Sequence, residues 1–141
     1  MDLAVATLAD RIGGLRTLPA ETRAAVLRAR VDAFIDANLG DPHLNPAAIA
    51  AHHHISLRSL HQLFHGEPET VAATIRRRRL ERCRDDLVDP AMRHHGVGEI
   101  SARWGFRHPA DFSRAMRKMY GTPPTEIRAQ ALGSDDLRDP C

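Results

Sequence analysis

Apolar residues along this chain recur at three- and four-residue steps and seldom at alternate positions, a spacing that predicts helices rather than strands. Leu3, Val5, Ala6, Leu8 and Ala9 predict a first helix over residues 2–12, stopped by Gly13-Gly14. Residues 15–22, which include Pro19, predict a linker. Val26, Leu27, Val31, Phe34 and Ile35 predict a stronger helix that stops near Asn38-Leu39-Gly40. Asn45-Pro46 combines a cap residue with a proline at the first helical position, so a short helix over 46–53 follows. Ser56 caps the next helix, Leu57 to about His65, with Leu60, Leu63 and Phe64 as its buried stripe. A long helix over about 69–87 is marked by Val71, Ile75, Leu80, Cys83 and Leu87. Beyond Asp89-Pro90 the pattern predicts a short helix at 98–104, a turn at Gly105-Phe106 and a helix from Pro109 to Tyr120. A last short helix runs from Thr125 to about Leu132. The polar residues 133–141 predict a flexible tail.

The pattern repeats itself. Ile49-Ala50-Ala51 stands to Ile55 as Ile100-Ser101-Ala102 stands to Phe106, and Leu60, Leu63 and Phe64 correspond to Phe112, Ala115 and Met116 with one extra residue in the second turn. The fold class that follows is all-α: two helix-turn-helix subdomains joined by a long linker helix, about seven helices plus an N-terminal extra helix. A single unit of this kind can be imitated by any small helical bundle. Two copies at one internal spacing are much harder to obtain by chance.

Composition agrees with a helical, soluble, globular chain: 43% hydrophobic, 27% charged and only 4% aromatic. The apolar runs fall short of the ~18 residues that span a bilayer, and the start, Met1-Asp2-Leu3-Ala4, does not have the pattern of a secretion signal. Cys83 and Cys141 lie far apart, which argues against a disulfide framework and for a cytoplasmic setting. Charge is unevenly spread. Residues 28–132 hold 16 Lys/Arg against 12 Asp/Glu, whereas the two ends together are net negative. This excess is a mild sign of a polyanionic partner, and on charge alone a solvated surface is the usual and preferred reading of it.

Trp104-Gly105-Phe106, then Phe112-Ser113-Arg114-Ala115-Met116-Arg117-Lys118, then Tyr120-Gly121-Thr122-Pro123-Pro124 closely resembles the signature of the AraC/XylS family of transcription regulators. Ser56-Leu57-Arg58-Ser59-Leu60-His61-Gln62-Leu63-Phe64 resembles the corresponding run of the family's first unit, with Gln62 where an arginine is usual. His54 stands where the family commonly has glycine in the first turn, and Ser101 where it usually has alanine. The resemblance covers about residues 28–132 and implies sequence-specific binding of double-stranded DNA, with one recognition helix in each of two successive major-groove segments. It implies base-reading roles for Arg58, His61, Gln62, Ala110, Ser113 and Arg114, and phosphate contacts for Ser56, His65, Arg117 and Lys118. Helical spacing supports this by putting Ala110, Ser113, Arg114 and Arg117 on one stripe. Arginine pairs two-pronged with guanine and glutamine with adenine. RNA polymerase is a second partner that the resemblance allows, and the fragment is expected to be a monomer or weak dimer.

The basic run Arg76-Arg77-Arg78-Arg79, with Arg82 and Arg84, admits two readings. Some of these residues hold phosphates between the two grooves, or they pair with Glu81, Asp85 and Asp86 at helical spacing. A mixture of both is expected, because four consecutive residues wrap round the helix. The histidines His52, His53, His54, His61 and His65 raise a metal-sensor reading, but adjacent residues on a short helix diverge and no His-Glu-x-x-His motif is present. No metal and no cofactor is therefore expected. A phosphate-cradling glycine loop, a nucleophile elbow and paired carboxylates are all missing from the pattern, so an enzyme is not expected either. The alternative function is a helical interaction module that binds an acidic partner. The organisation expected is an N-terminal helix and linker at 1–27, left from an effector or dimerisation domain, then the DNA-binding domain at 28–132. Within it lie a first helix-turn-helix at about 46–65, the linker helix at 69–87 and a second helix-turn-helix at about 98–120, before the tail.

Overall fold

The computed structural model describes residues 18–136, in which seven α-helices and one 3-10 turn form two small cores on a shared helix. They are α1 (Ala20–Ala37), α2 (Pro46–His52), α3 (Leu57–Leu63), α4 (Val71–Val88), α5 (Val97–Arg103), α6 (Pro109–Tyr120) and α7 (Pro124–Asp136), with the 3-10 turn Pro90–Met92 before α5. The helix expected at 2–12 lies outside the described residues, as do residues 137–141 of the expected tail.

Local chemistry sets most boundaries. Asn45, Ser56 and Thr70 each accept a backbone N–H three residues on, from Ala48, Ser59 and Ala73, and so start α2, α3 and α4. Two boundaries differ from the sequence expectation by more than two residues. Pro19 does not sit inside a linker: with φ at −53° it caps α1, which begins at Ala20 and runs without a break through residue 28. At the other end, α7 continues four residues past Leu132, to Asp136, so the expected tail at 133–141 begins inside a helix. Gly133 weakens a helix interior only modestly, and Ile127 on the first turns of α7 is anchored in the second core.

Linker helix α4 serves both cores. Its N-terminal half gives Val71 and Ile75 to a first core with Val31 and Ile35 of α1, Ile49 of α2 and Leu60 of α3. Its C-terminal half gives Leu80, Cys83 and Leu87 to a second core with Ile100, Phe112, Met116 and Ile127. Trp104 packs against both. Burial pushes the Cys83 thiol up to about 12, so it stays protonated in the second core.

The seam between the units is held by backbone contacts. Arg79 donates to the carbonyl oxygens of Leu39 and Asp41. A Cβ on Gly40 would stand 2.8 Å from the Arg103 carbonyl oxygen, so the Leu39–Asp41 loop lies directly against the second unit's turn. The indole of Trp104 donates to Asp86 at 2.8 Å.

Candidate nucleic-acid interface

The two turns close with the same pair of backbone hydrogen bonds. In the first, His54 N–H donates to Ala51 and Ile55 N–H to Ala50; in the second, Gly105 N–H donates to Ala102 and Phe106 N–H to Ser101, at 3.0–3.2 Å throughout. The residue at the bend has positive φ in both, 55° at His54 and 87° at Gly105. The second position demands glycine twice over, since a Cβ there would also lie 2.9 Å from the Leu39 carbonyl oxygen. His54 takes the same left-handed conformation with a side chain attached, at a cost in backbone strain.

Each turn delivers a helix with one face inward. Leu60 and Phe64 are buried on the α3 side, and Phe112, Ala115 and Met116 on α6, where the Phe106 and Phe112 rings meet at 5.1 Å. The opposite faces carry the residues expected to meet DNA. Arg58, His61 and Gln62 on α3 are exposed, as are Ala110, Arg114, Arg117 and Lys118 on α6, with Ser113 half-buried beside them. His65 is exposed too, but lies past the end of α3 in the following turn. Ser56 is exposed with its hydroxyl already engaged, accepting from Ser59 N–H and donating to Ser59 Oγ at 2.9 Å.

Two residues on these faces went unnoticed in the sequence. Asp111 accepts a hydrogen bond from Arg114 one turn later, so a carboxylate and a guanidinium are presented together. A carboxylate three residues before a candidate reading arginine was the available signal. Leu57 is the other, an unusually exposed leucine (44%) in the first turn of α3.

Five of the six arginines of α4 have partners within the protein, most of them remote in sequence. Arg77 pairs with Glu69 and Glu81, Arg78 with Asp32 and Asp36 of α1, and Arg79 with the seam carbonyls. Arg82 and Arg84 lean over the rings of Trp104 and Tyr120. Arg76 is exposed and makes no hydrogen bond or ion pair among the described residues. It borders a cleft of about 670 Å³ between the units, lined also by Asn45, Ala72, Ala73, Arg107 and Asp111.

The histidine run serves packing. The His52 ring stacks on Phe34 at 4.0 Å, and His53 meets both edge-on. Burial holds the His53 imidazole below its ordinary value, with smaller contributions from His52, Arg30 and His54. Among the described residues no three His, Cys, Asp or Glu side chains are grouped to hold a metal. Nor is any described helix long and apolar enough to cross a membrane.

A pair of helix-turn-helix units on one linker helix, each turning a polar and basic face outward, defines a DNA-binding helical domain. Residues 49–130 match the helix-turn-helix domain of AraC type, and the chain belongs to the AraC/XylS family of transcription regulators, not of enzymes. It is 33% identical over 118 residues to the transcriptional activator NphR of a Rhodococcus species, a match spanning 84% of this chain and 34% of that protein. It is 32% identical over 102 residues to the XylDLEGF operon transcriptional activator of Pseudomonas putida, covering 72% of this chain and 32% of that one. The chain thus spans about a third of the length of these relatives. Among solved structures, the C-terminal domain of AraT, a response regulator from Geobacillus stearothermophilus, superposes with a TM-score of 0.68 at 19% identity, over 74% of this chain and 84% of that one. A DNA-binding transcriptional dual regulator from Escherichia coli gives 0.64 at 21%, over 74% and 96%. These two share the fold.

Proposed function

We propose that the chain reads a single DNA site with both units, α3 and α6 entering successive major-groove segments on one face of the duplex about 34 Å apart. The observation that carries this is that both turns close with the same pair of hydrogen bonds around a positive-φ residue, each presenting a helix whose outer face is free of packing. On α6, Arg114 reads a guanine through O6 and N7, with Ala110 and Ser113 against the neighbouring bases. Asp111 steadies the Arg114 guanidinium and can accept from a cytosine N4 amino group. On α3, Gln62 reads an adenine beside Arg58 and His61, and Leu57 offers an apolar contact to a thymine methyl. Ser56, His65, Arg117 and Lys118 contact phosphates and set the register. The chain acts as a monomer in this reading, in the cytoplasm, and transcriptional control follows from where the site lies relative to RNA polymerase.

Selection of bound duplexes from a random pool by the purified chain tests the reading. A non-palindromic site with two preferred patches about 10 base pairs apart is the expected result. One short patch would confine base reading to a single unit. Absence of any preferred sequence overturns the proposal and favours a surface for an acidic protein partner. With a site in hand, Arg114→Ala should relax preference at one position, whereas Lys118→Ala should weaken binding to all sequences alike.

A further inference from the structure

We infer that the cleft between the two units is a seat for the DNA backbone running between the two major-groove segments, with Arg76 and Arg107 supplying its positive charge. The inference rests on the two-unit reading above and names a contact that neither recognition helix makes.

Several independent features converge on the cleft. Of the six arginines on α4, Arg76 alone has no protein partner among the described residues, and it borders this space. Side chains of the other five are occupied by carboxylates, seam carbonyls or rings, so the chain commits most of its linker charge internally and leaves one guanidinium outward. Arg107 approaches from the second unit's turn, exposed, with one terminal nitrogen 2.8 Å from the His43 ring of the first unit. The two guanidinium groups therefore come from different elements and converge on one space of about 670 Å³.

Two of the smallest side chains line the cleft beside Arg76. Ala72 and Ala73, one turn before Arg76 on α4, are exposed and end at Cβ, so a polynucleotide backbone can approach the linker helix closely. Asp111 is the one carboxylate on the cleft wall, and its charge is engaged by Arg114. Asp111 also places the cleft next to the reading face of α6, which lets one continuous strand pass from seat to groove. Guanidinium groups suit this task because their planar fork matches phosphate oxygens.

The test compares the chain with its Arg76→Gln, Arg107→Gln and Arg30→Gln variants, the last an exposed arginine of α1 outside the cleft. Affinity is measured by fluorescence anisotropy across a range of salt on a random duplex and on the selected site, and melting confirms that each variant folds. Arg76→Gln and Arg107→Gln should each shallow the slope of log affinity against log salt by about 0.9, the loss of one phosphate contact, on both duplexes. Base preference should not change. A neutral methylphosphonate placed midway between the patches should reproduce the Arg76→Gln loss and add nothing to it. If Arg76→Gln behaves like Arg30→Gln while the parent chain still selects a site, the seat is wrong and the two-unit reading stands. If the slope falls but no sequence is preferred, the seat stands and base reading fails.

Discussion

Arg79 donates from Nε to the Leu39 carbonyl oxygen at 2.9 Å, across forty residues of sequence and from one structural unit to the other. A terminal nitrogen of the same guanidinium reaches the Asp41 carbonyl. The fork thus fastens the linker helix to the loop that touches the second turn, and the relative placement of α3 and α6 depends on it. Arg79→Met should cost about 1.5–3 kcal/mol in urea unfolding, since the carbonyls lose a charged donor. Arg79→Lys should recover only part, because an ammonium cannot span both oxygens. In duplex selection the methionine variant should accept a wider range of spacings between the two patches; an unchanged spacing preference would show that the seam does not depend on this bond.

Paired substitutions at the two bends should act in opposite directions. Gly105→Ala forces a Cβ into positive φ and within 2.9 Å of the Leu39 carbonyl oxygen, a loss of at least about 1–2 kcal/mol. His54→Gly relieves the same strain where the sequence has left it in place, and should gain about 0.5–1 kcal/mol after the entropy of glycine is counted. Urea denaturation of both variants checks the pair.

Gln62→Arg provides a direct test of the first unit. Adenine should give way to guanine at one position of the selected site, with a discrimination of about 1–3 kcal/mol. A change spread over all positions, or none, would remove α3 from base reading.

His53 predicts a pH dependence whose sign is fixed by burial. Its folded-state value is depressed, so below its ordinary 6.5 the unfolded chain takes up a proton more readily than the folded one. The stability due to the neutral ring is complete above 6.5 and is lost as pH falls toward the folded value. Melting temperature should therefore decline as pH is lowered from 7.5 to about 5. His53→Phe, which keeps a ring against Phe34, should make that decline shallower.

The element types and the repeat were legible because they are written in local chemistry. Asn45 and Ser56 cap where the sequence says they should, Pro109 opens α6, and the correspondence of His54 with Gly105 could be read from their equal place in the repeat. Pro19 is ambiguous in the sequence because a proline both ends runs of helical residues and starts them, and only the following hydrogen bond, Arg23 N–H to the Pro19 carbonyl, decides between the two. The end of α7 lies beyond the sequence expectation because Gly133 weakens a helix locally, while the packing of Ile127 against the second core is a tertiary effect. Local spacing also suggested carboxylates on α4 itself for the arginine run. Glu81 does pair with Arg77, yet Arg78 finds Asp32 and Asp36, more than forty residues away, and Arg79 finds bare carbonyls. Side-chain pairings across elements require knowing which helix faces lie together, and one sequence does not state that. The exposed faces of α3 and α6 could be anticipated from periodicity, and the three-residue spacing of Asp111 and Arg114 was the signal for their pairing on α6.

Trp104, the sequence's single tryptophan, touches both cores and ties its indole to Asp86 at 2.8 Å. The chain accordingly carries its own optical gauge at the junction of its two halves. Emission from this one fluorophore follows the wetting of that junction and not of either core alone. A red shift on adding duplex would mean that the halves rotate apart to fit the grooves, and a constant spectrum that they arrive already set at the DNA's pitch.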